Sequence, residues 1–119
     1  MSVLSTILIT LVALEFFYIM YLETFATTSA ATQRVFKMSE TELKGKSLNT
    51  LLKNQGIYNG LIGVGLLYAA YFAIAPTEIS RLLLIYIILV AIFGGLTSDK
   101  KIILTQGGLA IIALITTFF

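Results

Sequence analysis

The sequence predicts an all-α integral membrane protein, a four-helix bundle of up-down-up-down topology with both termini outside. Three observations predict it. The 119 residues are 58% hydrophobic and 12% charged, where a soluble domain carries roughly 25% charge. Four apolar segments recur, at about 3–25, 54–75, 79–97 and 102–119, and about 20 helical residues cross a hydrocarbon core. The basic residues collect in the connections between these segments rather than inside them. The length leaves room for one transmembrane domain, residues 1–119, and no second domain.

The first segment holds two carboxylates and no basic residue. Glu15 lies inside the apolar run and Glu23 near its end. A cleaved signal peptide would need a basic leader, and residues 2–33 contain no Lys or Arg. The connection 26–53 reads as a cytoplasmic loop with a short interfacial helix. Ser39 followed by Glu42 forms a capping box. Leu43, Leu48, Leu51 and Leu52 then make an apolar stripe, with Lys44, Lys46 and Lys53 outside it. The second segment carries Gln55, Asn59 and the glycines Gly56, Gly60 and Gly63. Such small-residue ridges let helices approach closely. Pro76 ends this segment, and Thr77 is the expected N-cap of the next helix. The polar stretch Thr97-Ser98-Asp99-Lys100-Lys101 turns the chain into the fourth segment.

Orientation follows from the basic residues. Arg34, Lys37, Lys44, Lys46 and Lys53 lie in the first loop, and Lys100 and Lys101 in the last turn. Four spans place both connections on one side, and only Arg81 on the other. Positive loops are normally cytoplasmic, so loops 26–53 and 97–101 are expected there, in a multi-pass protein of the cell membrane.

Composition also limits the chemistry. There is no Cys and no His. Disulfides, thiol nucleophiles, thiolate metal sites and imidazole bases are therefore absent. No metal and no cofactor is expected. A net charge of +2, with basic residues in loops and no aromatic-studded patch, argues against nucleic acid. The expected partners are the lipid bilayer, a small solute or lipid ligand, and a second copy of the chain, although the glycine ridges are packing signals within one chain first.

Depth counting assembles a candidate site. Glu15 lies about 18 Å into the first span, or about 12 Å from the cytoplasmic edge of a 30 Å core. Asn59 is about 9 Å deep from the cytoplasmic side, Gln55 about 3 Å and Gln106 about 7–8 Å. Gln55 with Asn59, and Glu15 with Tyr18, each share a helix face. Glu15, Tyr18, Glu23, Gln55, Tyr58, Asn59, Thr97 and Gln106 are the ligand-binding or proton-relay candidates. No catalytic residue is assigned. Glu15 leads this set, because an intramembrane carboxylate costs at least about 2.5–3.5 kcal/mol. Without a cation at its depth it is expected to be neutral or bound to a cationic ligand. Glu23 is expected to be a solvated rim residue. In a purely structural reading the same side chains hold the bundle together, at about 0.6 kcal/mol per interhelical bond.

The strings Ala13-Leu14-Glu15, Tyr18-Ile19-Met20-Tyr21-Leu22-Glu23 with Phe25, Arg34-Val35-Phe36 and Asn54-Gln55-Gly56-Ile57-Tyr58-Asn59-Gly60 carry a family resemblance, as does Thr97 with Gln106-Gly107. With them the chain resembles a bacterial four-helix integral-membrane family catalogued as domain of unknown function thirteen hundred and four. The resemblance implies four membrane helices and a shared polar set, and it implies no activity. The family pattern has His directly after the first Glu, where this chain has Phe16. Its loop Trp after Phe25 is missing here. The layout is also similar to small multidrug exporters, but their motif around the first-span Glu is absent. The residues thus point first to a protein that binds or transports a small cationic or amphiphilic solute. The alternatives are a membrane enzyme acting on a lipid-like substrate, with Glu15 and Glu23 as acid and base, and a non-catalytic accessory protein.

Overall fold

Helix-forming apolar runs, broken by capping residues rather than by strands, give an all-α chain. The computed structural model describes residues 1–98 and 100–119, and all of Ile102 but its side chain. Asp99, in the expected turn 97–101, lies outside the described residues. The elements are α1 (Val3–Met20), a π-helical segment (Tyr21–Phe25), α2 (Ala30–Phe36), α3 (Glu40–Lys44), α4 (Lys46–Tyr71), α5 (Pro76–Thr97) and α6 (Lys101–Thr116). Among the described residues, two stretches are helical, long and apolar enough to cross a membrane, Val3–Phe25 and Pro76–Thr97. Ile103–Thr116 is a shorter apolar helix. The polar first turns of α4, from Lys46 to Gln55, set it apart from these. The chain divides into two compact units, residues 1–14 with 64–119, and residues 15–63.

In the first unit α5 and α6 pack along their length. Small residues make this approach close. The Cβ of Ala91 faces Gly107, and Ile103 lies against Gly95. Ala91, Gly95, Gly107, Ala110 and Ala113 are all buried. At the far end, Arg81 Nε donates to Thr117 Oγ1 at 3.0 Å and Nη2 to the Thr117 carbonyl at 2.6 Å. Its guanidinium sits 3.9 Å over the Phe118 ring, a cation–π contact. Ser5 Oγ of α1 donates to Thr116 Oγ1 at 2.9 Å. Thr10 and Tyr71 share a hydroxyl hydrogen bond of 2.8 Å. Pro76 occupies the first turn of α5, where a missing N–H breaks no bond. The N-cap position is therefore Ala75, not Thr77. The preceding helix ends earlier than expected, at Tyr71.

The second unit departs further from the sequence reading. The loop 26–53 holds two separate short helices, and α4 begins inside it. Ser29 starts α2 by accepting from the Thr32 N–H at 3.2 Å. Lys37 ends it in the left-handed conformation, with φ 54°. The expected capping box is present. Ser39 Oγ accepts from the Glu42 N–H, and Glu42 Oε1 accepts from the Ser39 N–H, both at 3.1 Å. The helix it starts is short, because Gly45 takes an extended ψ of 129° and interrupts the ladder. Asn49 Nδ2 then donates to the Leu43 carbonyl at 3.0 Å, satisfying an end group that α3 leaves open. Of the expected apolar stripe, Leu43 and Leu52 are buried, whereas Leu51 is 64% exposed.

Candidate functional site

Glu23 is the buried centre of the second unit. Its side chain has 0% exposure. A buried carboxylate must find donors or a cation. Gln55 Nε2 donates to its Oε2 at 2.7 Å, and Asn59 Nδ2 to its Oε1 at 2.5 Å. The two amides are four residues apart on α4, so one turn of helix presents both to one carboxylate. Gly56 makes the approach possible. A Cβ built there would overlap Thr24 Oγ1 and come within 3.1 Å of the Cβ atoms of Glu23 and Thr24. Gly60 likewise faces the Met20 thioether.

The backbone around Glu23 is unusual. The Ala26 N–H donates to the Tyr21 carbonyl at 2.9 Å, a bond spanning five residues. The wider turn buries Leu22 and Glu23 side by side. π-helical turns are rare and frequently mark functional sites. Hydroxyls satisfy the carbonyls at this helix end. Thr27 donates to the Glu23 carbonyl at 2.7 Å, and Thr32 to those of Ala26 at 2.6 Å and Leu22 at 3.2 Å. Thr24 donates to the Lys53 carbonyl at 3.0 Å and ties this segment to α4.

The model of a family described as "Protein of unknown function (DUF1304)" matches residues 10–118. The chain belongs to this family. It is similar to "Uncharacterized protein YpaA" of Lactococcus lactis subsp. lactis (strain IL1403), with 70% identity over 119 residues and all of both chains covered. No solved structure matches significantly.

Within this DUF1304 chain the second carboxylate of the first apolar run is not where it was expected. Glu23, read as a solvated rim residue, is fully buried. Glu15 is only half-buried, and its Oε1 is buried without a hydrogen-bond partner. The amides of α4 meet Glu23. Position near the end of an apolar run does not reveal that α4 supplies two donors there. Phe16, at the position where the family pattern has His, is buried. Tyr18 and Tyr58 are 53% and 70% exposed. Thr97 is exposed and returns its hydroxyl to the Phe93 carbonyl at 2.9 Å. Gln106 is half-buried on α6, in the other unit. Thr24, Thr27 and Thr32 were not among the sequence candidates. Their only signal is the density of hydroxyls in residues 24–32.

An unpartnered buried oxygen carries a penalty that a matched apolar side chain avoids. Glu15→Leu is therefore expected to raise stability by about 1 kcal/mol. Thermal unfolding of purified protein checks the sign.

Proposed function

We propose that this protein is a four-span membrane protein that binds a small cationic or amphiphilic solute at the Glu23–Gln55–Asn59 cluster. Glu15, on the same span, serves as a second carboxylate for it. The membrane reading draws on the apolar helices and on the exposed side chains of α5. Leu82, Ile85, Tyr86, Leu89, Val90, Phe93 and Leu96 are all exposed, a surface that suits lipid better than water. α4 has 26 residues, or about 39 Å of helix, enough to cross. α6 would cross with its flanking residues. The basic loops 26–53 and 97–101 would then face the cytoplasm.

The observation that carries the solute reading is the burial of Glu23 with, among the described residues, only neutral amides hydrogen-bonded to it. Two amide donors suit a carboxylate, whose oxygens only accept. They supply no positive charge. A purely structural bond across a membrane bundle needs no ionisable group, and intramembrane carboxylates mark ion and substrate paths. A solute cation would supply the missing charge. Transport, with a proton exchanged for the solute, is the working extension of this binding role.

Tetraphenylphosphonium, a lipophilic cation, tests the reading. Its affinity for purified protein in nanodiscs is expected to fall at least about tenfold in Glu23→Gln, corresponding to about 1.4 kcal/mol. Glu15→Gln should weaken binding by a smaller factor. Unchanged affinity in a folded Glu23→Gln protein would overturn the reading.

A further inference from the structure

A second polar feature lies beside the Glu23 cluster, and the solute reading does not use it. Thr24, Phe25, Ala26, Thr27, Thr28, Ser29, Asn49 and Lys53 enclose a cleft of about 300 Å³. All of them belong to the second unit. The cleft opens where the first apolar run ends, at Phe25, and where the basic start of α4 begins. Its lining holds one cation and no carboxylate.

The hydrogen bonds show which groups a ligand could meet. The hydroxyl protons of Thr24 and Thr27 go to the carbonyls of Lys53 and Glu23. Ser29 is engaged with Thr32. Asn49 gives one amide proton to the Leu43 carbonyl and keeps the other. The Thr28 hydroxyl and the Lys53 ammonium have no described hydrogen bond. A cation, an amide N–H and a hydroxyl around one cleft form a donor set, and donor sets of this kind suit an anion with several acceptor oxygens. The acids of the neighbouring loop are already engaged. Glu40 pairs with Lys44 at 3.0 Å, and Glu42 is held in the Ser39 capping box.

We infer that this cleft binds a phosphate group through Lys53, Asn49 and Thr28. The phosphate can come from an anionic phospholipid headgroup or from free phosphate. Position favours the headgroup, since an apolar span ends at the cleft and basic residues beside a span attract anionic lipid. The site stands apart from the proposed cation site. It is tested on its own variants and needs neither Glu15 nor Glu23 as a ligand.

The test measures binding of fluorescent phosphatidylglycerol and diacylglycerol, which lacks the phosphate, to detergent-purified protein, with inorganic phosphate as competitor. Phosphatidylglycerol should bind at least about fivefold more tightly. Lys53→Gln should remove about fivefold, the factor one basic residue near an anionic surface contributes. Thr28→Val should weaken binding by a smaller factor while leaving the fold intact. Lys46→Gln removes the same charge outside the cleft and should change binding less than about twofold. Competition by millimolar phosphate would assign the site to the free anion, and its absence to the headgroup. Either result upholds the phosphate site. Equal losses in Lys46→Gln and Lys53→Gln would overturn it, as would equal binding of both lipids with no phosphate competition.

Discussion

Gly56→Ala should lower stability by about 1–3 kcal/mol, the range for overpacking a close-packed interior. The added methyl group would overlap Thr24 Oγ1 and press on the Cβ atoms of Glu23 and Thr24. Those atoms cannot swing away. Thr24 is β-branched, and its hydroxyl holds the Lys53 carbonyl. The Glu23 side chain is fixed at its carboxylate by two amides. The backbone of the π-helical segment must therefore move away from α4. Gly60→Ala provides the contrast. Its methyl group would meet the thioether of Met20, the adaptable part of a long side chain. Thermal unfolding of the two variants should show Gly56→Ala well below Gly60→Ala. Equal melting temperatures would remove Gly56 as the reason for the close approach.

Asn59→Leu should cost about 2–3 kcal/mol, the upper part of the range for a buried group left without its partner. Glu23 would keep the Gln55 bond and lose the 2.5 Å bond to Oε1. Gln55→Leu should cost less, because Gln55 is exposed whereas Asn59 is half-buried. Solvent or headgroups can replace a donor at an exposed position. Removing the carboxylate as well should abolish the loss. In the Glu23→Leu background, Asn59→Leu should be nearly neutral, since replacing both partners with apolar groups removes the unpaired atom. Unfolding of the single and paired variants measures this coupling. Additive losses would show that Asn59 acts elsewhere.

Much of the fold was legible because it depends on local signals. The apolar runs, the Ser39–Glu42 capping box and the shared face of Gln55 and Asn59 are patterns of three, four or about twenty residues. The structure of the 26–53 loop was not legible. α2 starts at Ser29 without a Glu or Gln three residues on, so no capping box announces it. Its left-handed end falls on Lys37 rather than on the usual glycine. Gly45, whose extended backbone ends α3, breaks the helix expected to run on through the leucine stripe.

The site was half legible for a related reason. Composition located the polar residues, and helical spacing paired the two amides correctly. The carboxylate they hold could not be read from spacing. A π-helical turn has no composition of its own. Here the amides of α4 hold its Glu23 side chain, and the hydroxyls of Thr27 and Thr32 cap its Glu23 and Leu22 carbonyls. Glu15 was favoured over Glu23 by the cost of a carboxylate deep in an apolar run, not by helical spacing.

A double-mutant cycle on tetraphenylphosphonium affinity tests the central claim most directly. Glu23→Gln, Asn59→Leu and the paired variant are compared with the unaltered protein in nanodiscs. If Glu23, held by Asn59, is the cation's counter-charge, the paired variant should bind no more weakly than Glu23→Gln alone. Independent, additive losses, or full affinity in Glu23→Gln, would contradict the account.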